Sequence, residues 1–152
     1  MPPMTVTDLV PILQMAIGPV ILISGIGLLL LSMTNRLGRV VDTAREMAVA
    51  VRGAAPEEKA KLTAELRIQL RRGRLVRSAI YLASVSVLLA AVLIIVLFLT
   101  AIFGLRTAPV IIAVFASCMA ALIGSLVYFI RDVNLSLVAL KLEMLANGVL
   151  DV

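Results

Sequence analysis

The sequence predicts an all-α integral membrane protein with three transmembrane helices, each prolonged into water on one side. Three observations predict it. Residues 12–33, 78–103 and 108–130 contain no Asp, Glu, Lys, Arg or His, and each has the roughly 20 residues a helix needs to cross about 30 Å of hydrocarbon. The chain is 62% hydrophobic and 15% charged, with a mean hydropathy of +1.13, whereas an average soluble domain is about half apolar and a quarter charged. The charges that remain are gathered rather than spread: eleven of the fourteen Lys and Arg residues lie between 34 and 77. By the positive-inside rule that segment is cytoplasmic, so the N-terminus is expected outside and the C-terminus inside.

The first element is residues 1–33. Its opening, MPPMTVTDLV, carries one charge, Asp8, and lacks the positive n-region of a cleaved signal peptide, so a retained span is expected. Whether residues 1–14 form an interfacial helix or the start of the span is open, because Pro11 is awkward beyond a first helical turn. Gly18, Gly25 and Ser32 recur every seven residues and continue into Arg39. With the Gly18-Pro19 step, which frees carbonyls one turn earlier, this stripe reads either as a packing groove or as a pore-lining or hinge face.

Residues 34–77 are expected to form a helical hairpin continuous with spans one and two, reaching about 30 Å from the membrane at 1.5 Å per residue. Met33, Leu37, Val40, Ala44, Met47 and Val51 follow a 4-3-4-3-4 spacing, widened by Val41 and Ala48, as in a helix packed on another. In RGAAPEEK, Gly53 ends one helix and Pro56 opens the next, with Glu57 and Glu58 in its first turn. Leu62, Leu66, Leu70, Gly73 and Val76 are placed on its inner side, and Glu57–Lys61 is a favourable i,i+4 pair.

Residues 78–130 hold spans two and three, joined by FGLRTAP. There Gly104 can cap the first, Thr107 can N-cap the second, and Pro109 is tolerated in its first turn. Residues 131–152 are expected to continue span three as a cytoplasmic helix, with Val133, Leu137, Leu140 and Met144 at helical spacing and Asn147-Gly148 as its C-cap.

Two features could carry function. In span three, Ala113, Ser117, Ala121 and Ser125 recur every four residues beside a row containing Gly124. Small residues let helices approach closely in lipid, and the row serves either packing within one chain or an oligomer interface. The second feature is a polar ring at the inner membrane boundary. Asn35, Arg36, Arg39 and Asp42 leave span one, and Arg131 and Asp132 leave span three, so Arg–carboxylate pairs could fix the relative heights of the helices. Arg71, Arg72, Arg74 and Arg77 lead into span two and are expected to contact anionic lipid headgroups, or simply to mark topology and snorkel.

The excluded classes follow from composition. There is no His, no nucleophile–base set, and one cysteine, Cys118, within span three; no cofactor, metal site or enzyme activity is expected. Nucleic-acid binding is not expected either, since the basic run has no interleaved aromatic residues to stack on bases.

PVILISGIGLLLLSMTNRLGRVVDTAR (19–45), ELRIQLRRGRLVRSAI (65–80) and SLVYFIRDVNLSLVALKLE (125–143) together resemble a small bacterial membrane family known as domain of unknown function 2721. The resemblance runs over residues 14–146 and rests most on NRLGRVVD and FIRDVNLSL. It implies a three-span integral protein of the bacterial cytoplasmic membrane and brings no activity with it. Its pattern singles out Asn35, Arg36, Arg39, Asp42, Arg45, Arg131, Asp132 and Ser136, while Thr43 stands where a further basic residue is expected. The resulting functional expectation is a non-enzymatic homo-oligomeric scaffold or regulatory subunit, with a membrane protein as a possible partner. The alternative is an oligomeric channel or small-solute, anion-favouring pore lined by Ser24, Ser32, Ser117 and Ser125.

Overall fold

A computed structural model describes residues 6–104 and 107–146, with side chains described within residues 10–137 apart from residues 12, 105 and 106. The order is α1 (Val6–Gly53), α2 (Pro56–Phe103) and α3 (Ala108–Ala146), and all three are long and apolar enough to cross a membrane. The chain is thus all-helical over the described residues, as expected of a three-span membrane protein. α1 continues through Pro11 and Pro19, which a membrane helix tolerates because neighbours and local adjustments satisfy the freed carbonyls.

The turns use the residues picked out by their backbone chemistry. α1 ends at Gly53, and Ala54 and Ala55 separate it from Pro56, the first residue of α2. The Ala55 carbonyl accepts from the backbone N–H of Glu58 at 3.1 Å and of Lys59 at 2.9 Å, so it closes the first turn. Gly104 follows α2 with φ +61°, a left-handed conformation in which only glycine is unstrained. At the start of α3 the Thr107 carbonyl accepts from Ile111 N–H at 3.0 Å, and the Thr107 hydroxyl meets that of Thr100.

The chain forms two compact units, to each of which every helix contributes a segment. Of the described residues, those within 6–31 and 82–124 make the first, and those within 32–81 and 125–146 the second. In the first, small side chains are inside and large ones outside. Ala16, Ala83, Ser86, Ala90 and Cys118 are buried together with Ile26 and Leu93, whereas Ile21, Leu28, Leu88, Ile95, Ile112 and Ile123 are exposed. Water would drive the large residues inward; lipid does not, and rewards close backbone packing instead. Ser86 Oγ donates to the Cys118 carbonyl at 2.9 Å, and Cys118 Sγ donates to the Ser86 carbonyl at 3.2 Å. This reciprocal pair satisfies both side chains without water. Gly124 lets α3 approach Leu82, whose Cδ1 lies 3.2 Å from where a Cβ would stand.

In the second unit the interior is Met33 and Val40 of α1, Val76 and Ala79 of α2, and Ser125 and Asp132 of α3. The α1 seam holds through Val51: Leu37, Ala44, Met47 and Val51 are all partly buried. Three expected inner positions are corrected. Leu70 is 52% exposed, Leu137 59% and Val41, 100° past Val40, 46%, so none lies on the inner side. On α2 the seam passes 62, 66, 69, 73 and 76, a 4-3-4-3 course that takes Gln69 inward and turns Leu70 out by a further 100°. On α3 the inner positions fall at Cys118, Ser125 and Asp132, seven residues apart, which leaves Leu137 outside that line. The side chains of Leu140 and Met144, and the Asn147-Gly148 cap, lie outside the described residues.

Candidate functional site

Three helices converge on Asp132. The residue has no exposed surface, although its neighbours Arg131 and Asn134 are exposed. Its position follows from the seven-residue inner line of α3, which brings a carboxylate to the interior where an apolar residue is usual. Such a group is costly unless its charge is compensated. Arg36 of α1 places Nε 2.5 Å from Asp132 Oδ2, and Arg72 of α2 places Nε 3.6 Å from Oδ1. Both guanidinium groups are themselves largely covered, with side chains 23% and 15% exposed.

The compensation is Coulombic more than directional. Neither Nε–H points along a hydrogen-bonding line to the carboxylate, and both Asp132 oxygens are buried without a hydrogen bond among the described residues. Orientation of the cations comes from elsewhere. Arg72 Nη1 donates to Gln69 Oε1 at 3.1 Å, one turn back on α2, and Nη2 donates to Ser136 Oγ at 2.6 Å, one turn beyond Asp132 on α3. The Arg36 guanidinium carbon stands 5.7 Å from the centroid of the Phe129 ring, within cation–π range. The same unit is tied once more where Ser125 Oγ donates to the Ala79 carbonyl at 2.7 Å. Beside Arg36 and Arg72 lies a cleft of about 270 Å³, lined also by Arg39, Val40, Thr43, Gln69 and Ser136.

The boundary ring expected from the sequence divides on this geometry. Arg36 and Asp132 come together; Asn35, Arg39, Asp42 and Arg131 are exposed, and Asp42 makes no ion pair among the described residues. The basic run also divides: Arg71, Arg74 and Arg77 are exposed, while Arg72 turns inward to the carboxylate. The span-three row divides in the same way. Ser125 is buried and hydrogen-bonded and Gly124 meets Leu82, whereas Ala113 and Ser117 are exposed and Ala121 is half-buried.

Gln69, Thr43 and Phe129 were missed as site residues. Gln69 could have been found by stepping one helical turn from Arg72, as Ser136, singled out by the family pattern, lies one turn from Asp132. The outward stripe of α1 is not a packing groove within the chain: a Cβ at Gly18 or Gly25 would meet nothing within 4 Å among the described residues. No group of three or more His, Cys, Asp or Glu residues that could hold a metal ion occurs among the described residues.

No curated protein and no solved structure matches the chain. One family does, described as a protein of unknown function (DUF2721), over residues 16–142. The match takes in Arg36, Arg72, Asp132 and Ser136 with the greater part of all three helices. The chain belongs to the DUF2721 family of proteins of unknown function.

Proposed function

We propose that this protein is a non-enzymatic, homo-oligomeric scaffold or regulatory subunit of the bacterial cytoplasmic membrane, with its N-terminus outside and residues 34–77 and 131–152 in the cytoplasm. One observation carries the reading: the buried polar side chains are engaged in joining helices. Asp132 faces Arg36 and Arg72, Ser86 and Cys118 satisfy each other, and Ser125 bonds the Ala79 carbonyl. The surface left over supports association. Ala113 and Ser117 form an exposed small-residue face on α3, suited to close helix approach between subunits in lipid. Exposed Ile68 and Leu70 on α2 supply apolar surface in the second unit for a partner. Exposed Arg71, Arg74 and Arg77 support contact with anionic headgroups, about 1 kcal/mol each near a charged surface.

The test is the mass of the protein in a lipid nanodisc, measured by native mass spectrometry. A defined homo-oligomer that dissociates when Ala113→Leu and Ser117→Leu are combined supports the reading. A monomer in both forms overturns it.

An oligomeric pore is the second reading, favoured by the exposure of Ser24, Ser32 and Ser117 on the surface of a single chain. Ser125 leaves the set of lining candidates because its hydroxyl is committed to Ala79. Anion flux into liposomes above background, from a preparation of defined oligomeric mass, would replace the scaffold by the pore.

A further inference from the structure

We propose that the cleft lined by Arg36, Arg39, Thr43, Gln69, Arg72 and Ser136 is a binding site for a phosphate group. The proposal does not depend on the oligomeric scaffold reading. It rests on charge, on donor geometry and on which groups are already occupied.

Three guanidinium groups line or flank this cleft and a single carboxylate, Asp132, faces two of them. The local surplus is therefore two positive charges, with no acidic side chain in the lining. A phosphomonoester near neutral pH carries a charge of about −1.5 to −2. Arg72 is held by Gln69 and Ser136, so one wall of the cleft is oriented before any ligand arrives. Pre-orientation of this kind lowers the ordering cost of binding. Arg36 is fixed on its Nε side by Asp132 and across its face by Phe129, leaving its terminal N–H groups without a hydrogen-bond partner among the described residues. Arg39 is exposed and meets no carboxylate among the described residues.

On α1 the donors fall at 36, 39 and 43, a three-then-four spacing that puts two guanidinium groups and a hydroxyl on one helix face. Planar guanidinium forks and hydroxyls are the groups that recognise phosphate oxygens. The size agrees: about 270 Å³ is just below the roughly 300 Å³ at which drug-sized ligand sites begin, suited to a small anion such as a phosphate group. That phosphate can belong to an anionic phospholipid headgroup or to a water-soluble phosphate. The recognition chemistry is shared.

The experiment uses the full chain in phosphatidylcholine nanodiscs. One arm titrates inorganic phosphate by calorimetry; the other introduces phosphatidic acid and counts bound lipid by native mass spectrometry. Three proteins are compared: wild type, Arg39→Gln inside the cleft, and Arg67→Gln, which removes the same charge from an exposed position outside it. Both variants change exposed side chains with no ion pair among the described residues, so folding is retained.

The expected result is saturable binding of one ligand per chain in at least one arm, weakened about tenfold by Arg39→Gln, as for loss of one charge-assisted hydrogen bond. Arg67→Gln should stay within about twofold of wild type. Binding of inorganic phosphate assigns a site open to soluble phosphate, and binding of phosphatidic acid alone assigns a headgroup site. Absence of saturable binding in both arms overturns the proposal. So does equal weakening by the two variants, the behaviour of a diffuse basic surface.

Discussion

A serine inside a membrane protein has two ways to satisfy its hydroxyl: its own helix four residues back, or a neighbouring helix. Thr63 and Thr100 take the first route, donating to the carbonyls of Lys59 and Val96 at 2.7 Å. Ser86 and Ser125 take the second and so become ties between helices. Ser125→Ala should cost about 0.5–1 kcal/mol, in keeping with interhelical hydrogen bonds measured in lipid, and a denaturation series in mild detergent reads it. A loss above roughly 3 kcal/mol would mean that Ser125 does more than close one hydrogen bond.

Asp132 was legible at the same scale only as one of two acidic candidates. Asp42 and Asp132 both lie a few residues past a span, and charge placement alone does not separate them. Helical phase does. Counting sevens from Cys118 through Ser125 reaches Asp132, while Asp42 falls two positions past Val40 and off the α1 seam. Arg72 was hidden for a similar reason: four arginines in seven residues read as one surface, although adjacent helical positions differ by 100°.

Among the elements, α1 was the most legible, because Met33, Leu37, Val40, Ala44, Met47 and Val51 form an apolar inner line, with Arg36 and Thr43 beside it. α2 and α3 were harder, since their inner lines pass through Gln69, Ser125, Asp132 and Ser136, residues that a hydrophobic pattern assigns to the surface. Leucines at 70 and 137 then attract the inner assignment by composition alone. Gly73, inner on both the expected and the observed line, tests the packing of α2 on α1. A Cβ there would stand 3.5 Å from Val40 Cγ1, ordinary contact. Gly73→Ala should therefore be neutral or stabilising by up to about 1 kcal/mol through helix propensity. Gly73→Leu should destabilise by about 1–3 kcal/mol through overpacking. Thermal unfolding of the pair in detergent reads both. Equal tolerance of Ala and Leu would place Gly73 on an open face.

For the whole molecule, three spans were legible because hydrocarbon solvent imposes a length and a composition that few other structures share. Orientation rests on the distribution of Arg and Lys and has a direct test. The native Cys118 is buried, so an introduced thiol can report alone. Ala55→Cys lies between α1 and α2 and Ala108→Cys at the start of α3, both at exposed positions. In intact spheroplasts an impermeant maleimide should label Ala108→Cys, and Ala55→Cys only after lysis; the reverse order would invert the protein in the membrane.

In the second unit one carboxylate, Asp132 of α3, faces Arg36 of α1 and Arg72 of α2. The most direct measurement is the unfolding temperature of Asp132→Ala against wild type in lipid nanodiscs. Removing Asp132 leaves Arg36 and Arg72 largely covered with no opposing charge, a situation that costs on the order of 3 kcal/mol when one member of a buried pair is lost. The expected result is a clear fall in unfolding temperature. An unchanged or higher temperature would contradict the account, because the three helices would then hold together without the charge at their centre.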